Sequence, residues 1–157
     1  MNYFLKSSKM NLAANFNYQT HTGTHVQLWD FRQRKNVVLF FCNTTNPDRL
    51  TAFLKSLSQN QVAYRNENTE VIAILNKKPA EVCGEDTVDL FSFSVLLDTE
   101  QKIAARYFSE RPLSTNEFGI FVLDRYGEIM SSLRTTMLPS HPEILDTLNL
   151  LERQCPE

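Results

Sequence analysis

Two continuous apolar runs in the first half of the chain predict buried β-strands. They are VVLFF at 37–41 and VIAIL at 71–75, and unbroken β-branched and aromatic runs are typical of strands covered on both faces. Between them, apolar residues recur at helical spacing: Leu50, Phe53, Leu54 and Leu57. Asn46 can cap this helix through its side-chain oxygen, and Pro47 suits the first helical position because it has no N–H to leave unpaired. The stretch 36–53 therefore predicts a buried strand that leads through a polar loop into a helix.

Shorter patterns predict the remaining elements. Two β-hairpins are expected, from residues 16–18 with 25–28 and from residues 119–124 with 128–133. The other elements are a short helix and loop over 77–90, a strand over 94–98, a helix over 99–108, and a terminal helix after Pro139 and Pro142. This alternation predicts an α/β sandwich whose mixed sheet is parallel in its centre. Residues 1–13 are predicted to be a flexible leader, and 14–157 a single domain.

Composition narrows the class of protein. With 157 residues and 42% hydrophobic residues, the chain can form one domain with an ordinary core. Its net charge of -2 gives no electrostatic support for nucleic-acid binding. No apolar run approaches the roughly 20 residues that span a bilayer, and the N-terminus lacks the apolar region of a signal peptide. We therefore expect a cytoplasmic protein that binds neither nucleic acid nor membrane.

The cysteine and histidine residues do not predict a metal or disulfide site. Cys42, Cys83 and Cys155 are odd in number and form no C-x-x-C pair, so reduced thiols are expected. His21 and His25 are four residues apart with no third ligand in view, which favours exposed hairpin histidines over a metal site. His141 is expected to flank the start of the terminal helix. No metal or other cofactor is predicted.

The order of these segments resembles the peroxiredoxin branch of the thioredoxin-like superfamily, the alkyl hydroperoxide reductase and thiol-specific antioxidant (AhpC/TSA) proteins. The resemblance covers most of the chain and rests on the N-terminal hairpin, the strand VIAIL, the segment FSFSVLLDTEQKIAARYF and the closing hairpin GIFVLDRYGEIMSSL. It implies a thioredoxin-like α/β sandwich with a central mixed sheet, an N-terminal hairpin and flanking helices. Function needs a separate argument, because a fold is only a scaffold for a site.

The reactive motif of that family is altered here. It consists of a proline, a threonine four residues later and a peroxide-reducing cysteine three further on. With Pro47 matched to the proline that commonly follows the threonine, these positions fall on Cys42, Asn46 and Arg49. The arginine that activates the family's thiol falls on Phe118. Because an arginine cannot supply the thiolate nucleophile, the resemblance implies that the family's peroxidase chemistry is absent. Thioredoxin-type exchange is equally unsupported without a C-x-x-C pair.

Two residues near this turn have competing interpretations. Cys42 is either a relocated nucleophile or redox sensor, or a small buried thiol that completes the strand. Arg49 either helps Thr44, Thr45, Asn46 and Asp48 to bind a small anion at the helix N-terminus, or points to solvent or pairs with Asp48 or another carboxylate.

The function predicted first is that of a degenerate peroxiredoxin-like protein that acts by binding. The alternative is an atypical single-cysteine thiol oxidoreductase or redox sensor that uses Cys42. A third hypothesis is an interaction protein, most simply a homodimer, because the family fold often pairs through sheet edges or the face around the active-site loop. Phe91, Phe93 and Phe118 are the expected apolar patch in that case.

Overall fold

The structure is a computed structural model that describes residues 3–4, 11–20, 23–77 and 93–154. Its strands are β1 (Tyr3–Phe4), β2 (Asn17–Gln19), β3 (His25–Gln27), β4 (Asn36–Asn43), β5 (Thr69–Leu75), β6 (Ser94–Leu97), β7 (Glu117–Leu123) and β8 (Ile129–Thr135). The α-helices of these ranges are α1 (Pro47–Gln59), α2 (Gln61–Asn66), α3 (Lys102–Tyr107) and α4 (His141–Gln154), and a short 3-10 helix covers Leu28–Phe31.

Six strands form one mixed sheet in the order β1-β8-β7-β4-β5-β6. β4 pairs in parallel with β5, and β5 with β6, whereas β7 runs antiparallel to both β4 and β8. β2 and β3 form a separate two-stranded hairpin. This arrangement confirms the predicted mixed α/β sheet with a parallel centre. Every residue of β4 except Asn43 is buried, as expected for the central strand.

The sheet separates two apolar layers. On one face α1, α2 and α4 pack over a cluster that includes Phe40, Phe53 and Leu148. On the other face, α3 and the hairpin β2–β3 cover a second cluster, which includes Phe41 and Phe121. Consecutive strand residues point to opposite faces, which is why neighbours such as Phe40 and Phe41 belong to different clusters. Helices on both faces explain the continuous apolar runs of β4 and β5.

Several boundaries differ from the sequence prediction. The helix expected over 99–108 begins only at Lys102, because Asp98 accepts hydrogen bonds from the N–H groups of Ile103 and Ala104 while Gln101 takes a left-handed conformation with φ of 54°. Pro142 lies inside the first turn of α4 rather than before it, where a missing N–H does no harm. The predicted helix and loop over 77–90 lie outside the described residues apart from Lys77.

The 3-10 helix and α2 were not predicted, and strand β1 lies within the segment that was predicted to be a flexible leader. The 3-10 helix and α2 are too short to show a hydrophobic period. β1 pairs with β8, with Tyr3 opposite Ser132 and Phe4 opposite Ser131. The flexibility of residues 1–13 and the domain boundary at residue 14 stay predictions. Among the described residues, no helix has the length and apolar character needed to cross a membrane.

Candidate functional site

The candidate site lies where β4 ends and α1 begins. Asn46 has extended backbone angles, and its Oδ1 accepts hydrogen bonds from the N–H groups of Asp48 at 3.0 Å and Arg49 at 3.2 Å. Pro47 occupies the first helical position. The predicted capping residue and helix start are therefore confirmed. The same geometry satisfies two of the amide groups that a helix N-terminus otherwise leaves unpaired.

Hydrogen bonds hold the loop between β4 and α1 against the segment before β7. Asn43 Nδ2 donates to the carbonyl of Leu113 at 3.0 Å, and the buried Thr44 Oγ1 donates to Asn116 Oδ1 at 2.7 Å. Thr44 Oγ1 also accepts from the N–H of Asn46 at 3.2 Å. Because the bonds to Leu113 and Asn116 join residues about 70 positions apart, the loop conformation depends on β7 lying beside β4.

Arg49 lies against this framework rather than in solvent. Its Nη2 donates to the carbonyl of Asn116 at 3.3 Å and to the carbonyl of Thr136, and its guanidinium carbon lies 5.1 Å from the centre of the Phe118 ring. It forms no ion pair with any described residue, so the interpretation in which Arg49 pairs with Asp48 is wrong. The cation is instead held by two carbonyl dipoles and an aromatic face, an arrangement that favours arginine over lysine.

The motif positions taken from the family resemblance meet in space. Cys42 and Phe118 are cross-strand partners on β4 and β7, and Phe118 in turn contacts Arg49. Thr45 is exposed beside them, and the amide groups of Asp48 and Arg49 already donate to Asn46. The anion site of Thr45, Asn46, Asp48 and Arg49 stays a prediction. In such a site the Arg49 guanidinium would be the main donor to the anion, because the two amides are already bonded to Asn46.

Cys42 carries a thiol that is only 4% exposed. It faces the apolar cluster under α1, together with Leu50 and Phe53. This is the position expected for a small side chain that completes the core. The other two cysteines, Cys83 and Cys155, lie outside the described residues.

The predicted aromatic patch is wrong for two of its three members. Phe118 is 1% exposed and Phe93 is 4% exposed. Phe118 points inward from β7, and its ring centre lies 5.1 Å from that of Phe53. Side chains packed into the core cannot form a docking surface. Phe91 lies outside the described residues.

His141 belongs to a buried network that the sequence interpretation did not identify. Its Nδ1 lies 2.7 Å from the hydroxyl of Tyr64, and its Nε2 lies 3.0 Å from Ser56 Oγ. Ser56 Oγ donates to the carbonyl of Phe53, so it accepts from Nε2–H, and the Tyr64 hydroxyl donates to Nδ1. With a neutral imidazole, both ring nitrogens of His141 and both hydroxyl groups therefore have a hydrogen-bond partner. Burial lowers the pKa of His141 to about 4 and raises the pKa of Tyr64.

A cluster of charged side chains surrounds Glu117, at the end of the loop that precedes β7. Glu117 is buried at the start of the strand, and its carboxylate accepts hydrogen bonds from Arg134 at 2.8 and 3.1 Å and from the N–H of Ser114 at 2.8 Å. Hydrogen bonds from Arg134 and the nearby charge of Arg111 lower the pKa of Glu117 to about 2. Sequence spacing could not identify this cluster, because an acidic residue at a strand start is usually exposed.

The predicted absence of a histidine metal site was tested only in part. His25 is exposed, and its Nε2 lies 3.2 Å from Gln19 Nε2. His21 lies outside the described residues. Within the described ranges, no group of three or more histidine, cysteine, aspartate or glutamate side chains is placed to hold a metal ion.

The sequence profile of the AhpC/TSA family matches residues 10–132. The chain belongs to the AhpC/TSA family. No curated protein sequence matches it significantly. The N-terminal hairpin, the parallel strands and the closing hairpin of this AhpC/TSA protein are thus parts of a thioredoxin-like, peroxiredoxin-type fold, as the resemblance implied.

Solved structures share the fold of this chain. The mitochondrial 2-Cys peroxiredoxin of Plasmodium falciparum has 18% sequence identity and a TM-score of 0.73, and the alignment covers 94% of this chain and 97% of that one. Peroxidoxin BcpB of Mycobacterium tuberculosis has 17% identity and a TM-score of 0.73, with 90% and 96% covered. A DsbE-type thiol:disulfide interchange protein from Chlorobium tepidum has 21% identity and a TM-score of 0.64, with 92% and 97% covered. At these identities the similarity shows the fold.

Proposed function

We propose that this AhpC/TSA protein has no thiol peroxidase activity and acts by binding, in a cytoplasmic redox context. The proposal rests on the contact between Arg49 and Phe118. Arg49 stands where the family resemblance puts the peroxide-reducing cysteine, and its guanidinium lies 5.1 Å from the ring of the residue at the activating arginine position. Peroxide reduction needs a thiolate next to a cation, and this pair offers a cation next to an aromatic ring.

Burial argues against Cys42 as a substitute nucleophile. A peroxide and then a reducing thiol must both reach the sulfur in each turnover. At 4% exposure, beneath α1 and beside Phe118, the Cys42 sulfur offers neither reactant a path without local opening of the core. The single-cysteine oxidoreductase or sensor therefore has less support than a binding role.

A peroxide-consumption assay tests the proposal. Purified protein with dithiothreitol should consume hydrogen peroxide no faster than dithiothreitol alone. The Cys42→Ser, Cys83→Ser and Cys155→Ser variants serve as matched controls and should give the same rate as the parent chain. Turnover that is present in the parent and disappears in Cys42→Ser would establish the single-cysteine enzyme instead. Turnover that disappears in Cys83→Ser or Cys155→Ser would also refute the proposal.

The binding role most simply includes self-association through the surface beside Arg49. Met137 and Leu138, which follow Thr136, are 74% and 45% exposed. Large apolar side chains exposed side by side are more typical of interfaces than of solvated loops. A homodimer pairing this surface would cover both residues and the adjoining N-terminus of α1.

Size-exclusion chromatography with light scattering tests this interface. The parent chain should elute with the mass of a dimer, and Met137→Glu should shift it towards the monomer because a carboxylate would be buried in the interface. Val62→Glu, at an exposed position on α2, is the matched control and should leave the mass unchanged. A parent chain that is monomeric at all concentrations would refute the homodimer.

A further inference from the structure

The outer edge of β8 is covered by the N-terminal part of the same chain. The two residues of β1, Tyr3–Phe4, pair antiparallel with residues 131–132 of β8. Further along the strand, the carbonyl of Asn11 accepts a hydrogen bond from the N–H of Ile129 at 2.8 Å. We call Tyr3–Phe4 and residues 11–13 together the edge cap. The edge cap shares no residue with the candidate site at the start of α1.

β8 itself has few of the features that keep a sheet edge from pairing with another chain. Its sequence, IMSSLRT at 129–135, contains no proline and one charged residue, Arg134. Arg134 Nη2 donates to the carboxylate of Glu117 and to the carbonyl of Pro112, each at 2.8 Å, so this charge is bound within its own chain. The register shift of the β7–β8 ladder lies at the beginning of β8, so residues 131–135 pair regularly. Exposed edges are usually protected by prolines, charges or bulges, and β8 instead relies on the edge cap.

Part of the β8 edge extends beyond the edge cap. Among the described residues, no strand pairs with residues 133–135 on the side away from β7. If β1 were released, the open edge would run over residues 131–135. The N–H and C=O groups of such an edge are a template for a strand of another chain. At the other end of the sheet, β6 is bridged at Leu96 by Thr20, which follows β2.

The open edge would be complementary to a second copy of itself. In an antiparallel pairing about a two-fold axis at Leu133, Ser132 lies opposite Arg134 of the second copy, and Ser131 lies opposite Thr135. No like charges face each other in this register, and pairs of hydroxyl side chains are favourable across antiparallel strands. A second copy of the chain is therefore the partner whose chemistry fits this edge.

We propose that the edge cap prevents two copies of the chain from pairing through β8, and that release of β1 permits a two-fold symmetric β8–β8 dimer. A two-residue antiparallel strand makes about two backbone hydrogen bonds, whereas the five-residue pairing of two copies makes about four to six. The edge cap prevails in the full chain because it is tethered to the strand that it covers, so its pairing does not require two molecules to associate. β1 thus competes with the second copy for the same edge.

Full-chain variants that change the pairing ability of β1 test the proposal. The proline variant, Tyr3→Pro with Phe4→Pro, loses both N–H groups of β1 and cannot pair as a strand. The valine variant, Tyr3→Val with Phe4→Val, is the matched control, because it also loses both aromatic rings but keeps the N–H groups and a high strand propensity. Both variants also carry Met137→Glu, which removes the separate interface proposed beside Arg49, so the comparison does not depend on whether that interface exists.

Light scattering over a concentration series gives the first result. The proline variant should have the mass of a dimer at concentrations where the valine variant is a monomer. Equal masses for the two variants would refute the proposal. Slow hydrogen exchange of the central β4 amides in both variants should show that each is folded.

Two further measurements connect the dimer to β8. In dilute, monomeric samples, whichever amide of Ser131 and Ser132 faces β1 should exchange about tenfold faster in the proline variant than in the valine variant. Equal exchange rates would refute the role of the edge cap. Adding Ser132→Lys to the proline variant should restore the monomer, because the lysine would face Arg134 of the second copy, whereas Ser132→Glu should keep the dimer. A dimer that persists with Ser132→Lys would place the contact elsewhere and overturn the proposal.

Discussion

Protonation of His141 should destabilise the folded chain in mildly acidic solution. The imidazole joins α4 to α1 and α2 through Ser56 and Tyr64. A proton added at Nδ1 would remove the acceptor of the Tyr64 hydroxyl and leave a charge in the core. Burial of the ring opposes its protonation and lowers the pKa of His141 from 6.5 to about 4.

The sign and size of the effect follow from linkage. The folded-state pKa lies below the unfolded value, so the unfolded chain binds more protons between pH 6.5 and about 4. The contribution of neutral His141 is fully present above pH 6.5 and decreases as the pH falls. At about 1.36 kcal/mol per pH unit the largest possible loss is about 3.4 kcal/mol, and about 2.5 kcal/mol of it should be lost between pH 7.5 and 4.5.

Urea unfolding of the parent chain and of His141→Gln at several pH values measures this loss. Glutamine keeps hydrogen-bonding groups at the position but does not titrate, and the difference between the two proteins cancels most of the contribution of the carboxylates. The stability difference should fall by about 2.5 kcal/mol from pH 7.5 to 4.5. Parallel pH profiles for the two proteins would refute the reasoning.

Three further substitutions have distinct expected costs, each measured by urea unfolding. Gly119→Ala should destabilise by about 2 kcal/mol, because its Cβ would come within 2.2 Å of the packed Phe108 ring; an unchanged midpoint would mean that the ring moves aside freely. Asn46→Ala should cost about 1 kcal/mol, since two amides of α1 lose their acceptor. Glu117→Gln should cost about 2 kcal/mol at neutral pH, with the exposed Glu110→Gln as the near-neutral control. The destabilisation caused by Glu117→Gln should become smaller as the pH falls from 4.5 towards about 2, because the pKa of Glu117 is about 2 in the folded chain and 4.5 in the unfolded one. A destabilisation that does not change with pH would contradict this reasoning.

Local patterns predicted the framework of the site well. Asn46 and Pro47 start α1 as expected, and the apolar runs form β4 and β5. These features depend on interactions within a few residues, such as a cap or a run of strand-forming side chains, and such interactions can be recognised in one sequence. The AhpC/TSA family match covers residues 10–132, a range that contains these segments.

The partners of individual side chains were predicted less well. Two of the expected positions of Arg49 were in solvent or on a carboxylate, but its side chain contacts Phe118 and two backbone carbonyls. The anion site stays a prediction. Phe118 was assigned to an exposed patch and is buried, and His141 was treated as a residue beside a helix start although it forms the centre of a buried network. In each case the contact joins residues that are about 70 or more positions apart in the chain.

The sequence by itself determined the α/β alternation, the helix start at Asn46 and Pro47, and the presence of arginine where the family resemblance places a reactive cysteine. The tertiary structure alone decided what that arginine does, because the antiparallel pairing of β7 with β4 brings Phe118 and Asn116 to the N-terminus of α1. Neighbours along the chain interact in any fold, whereas strand order decides which distant side chains meet.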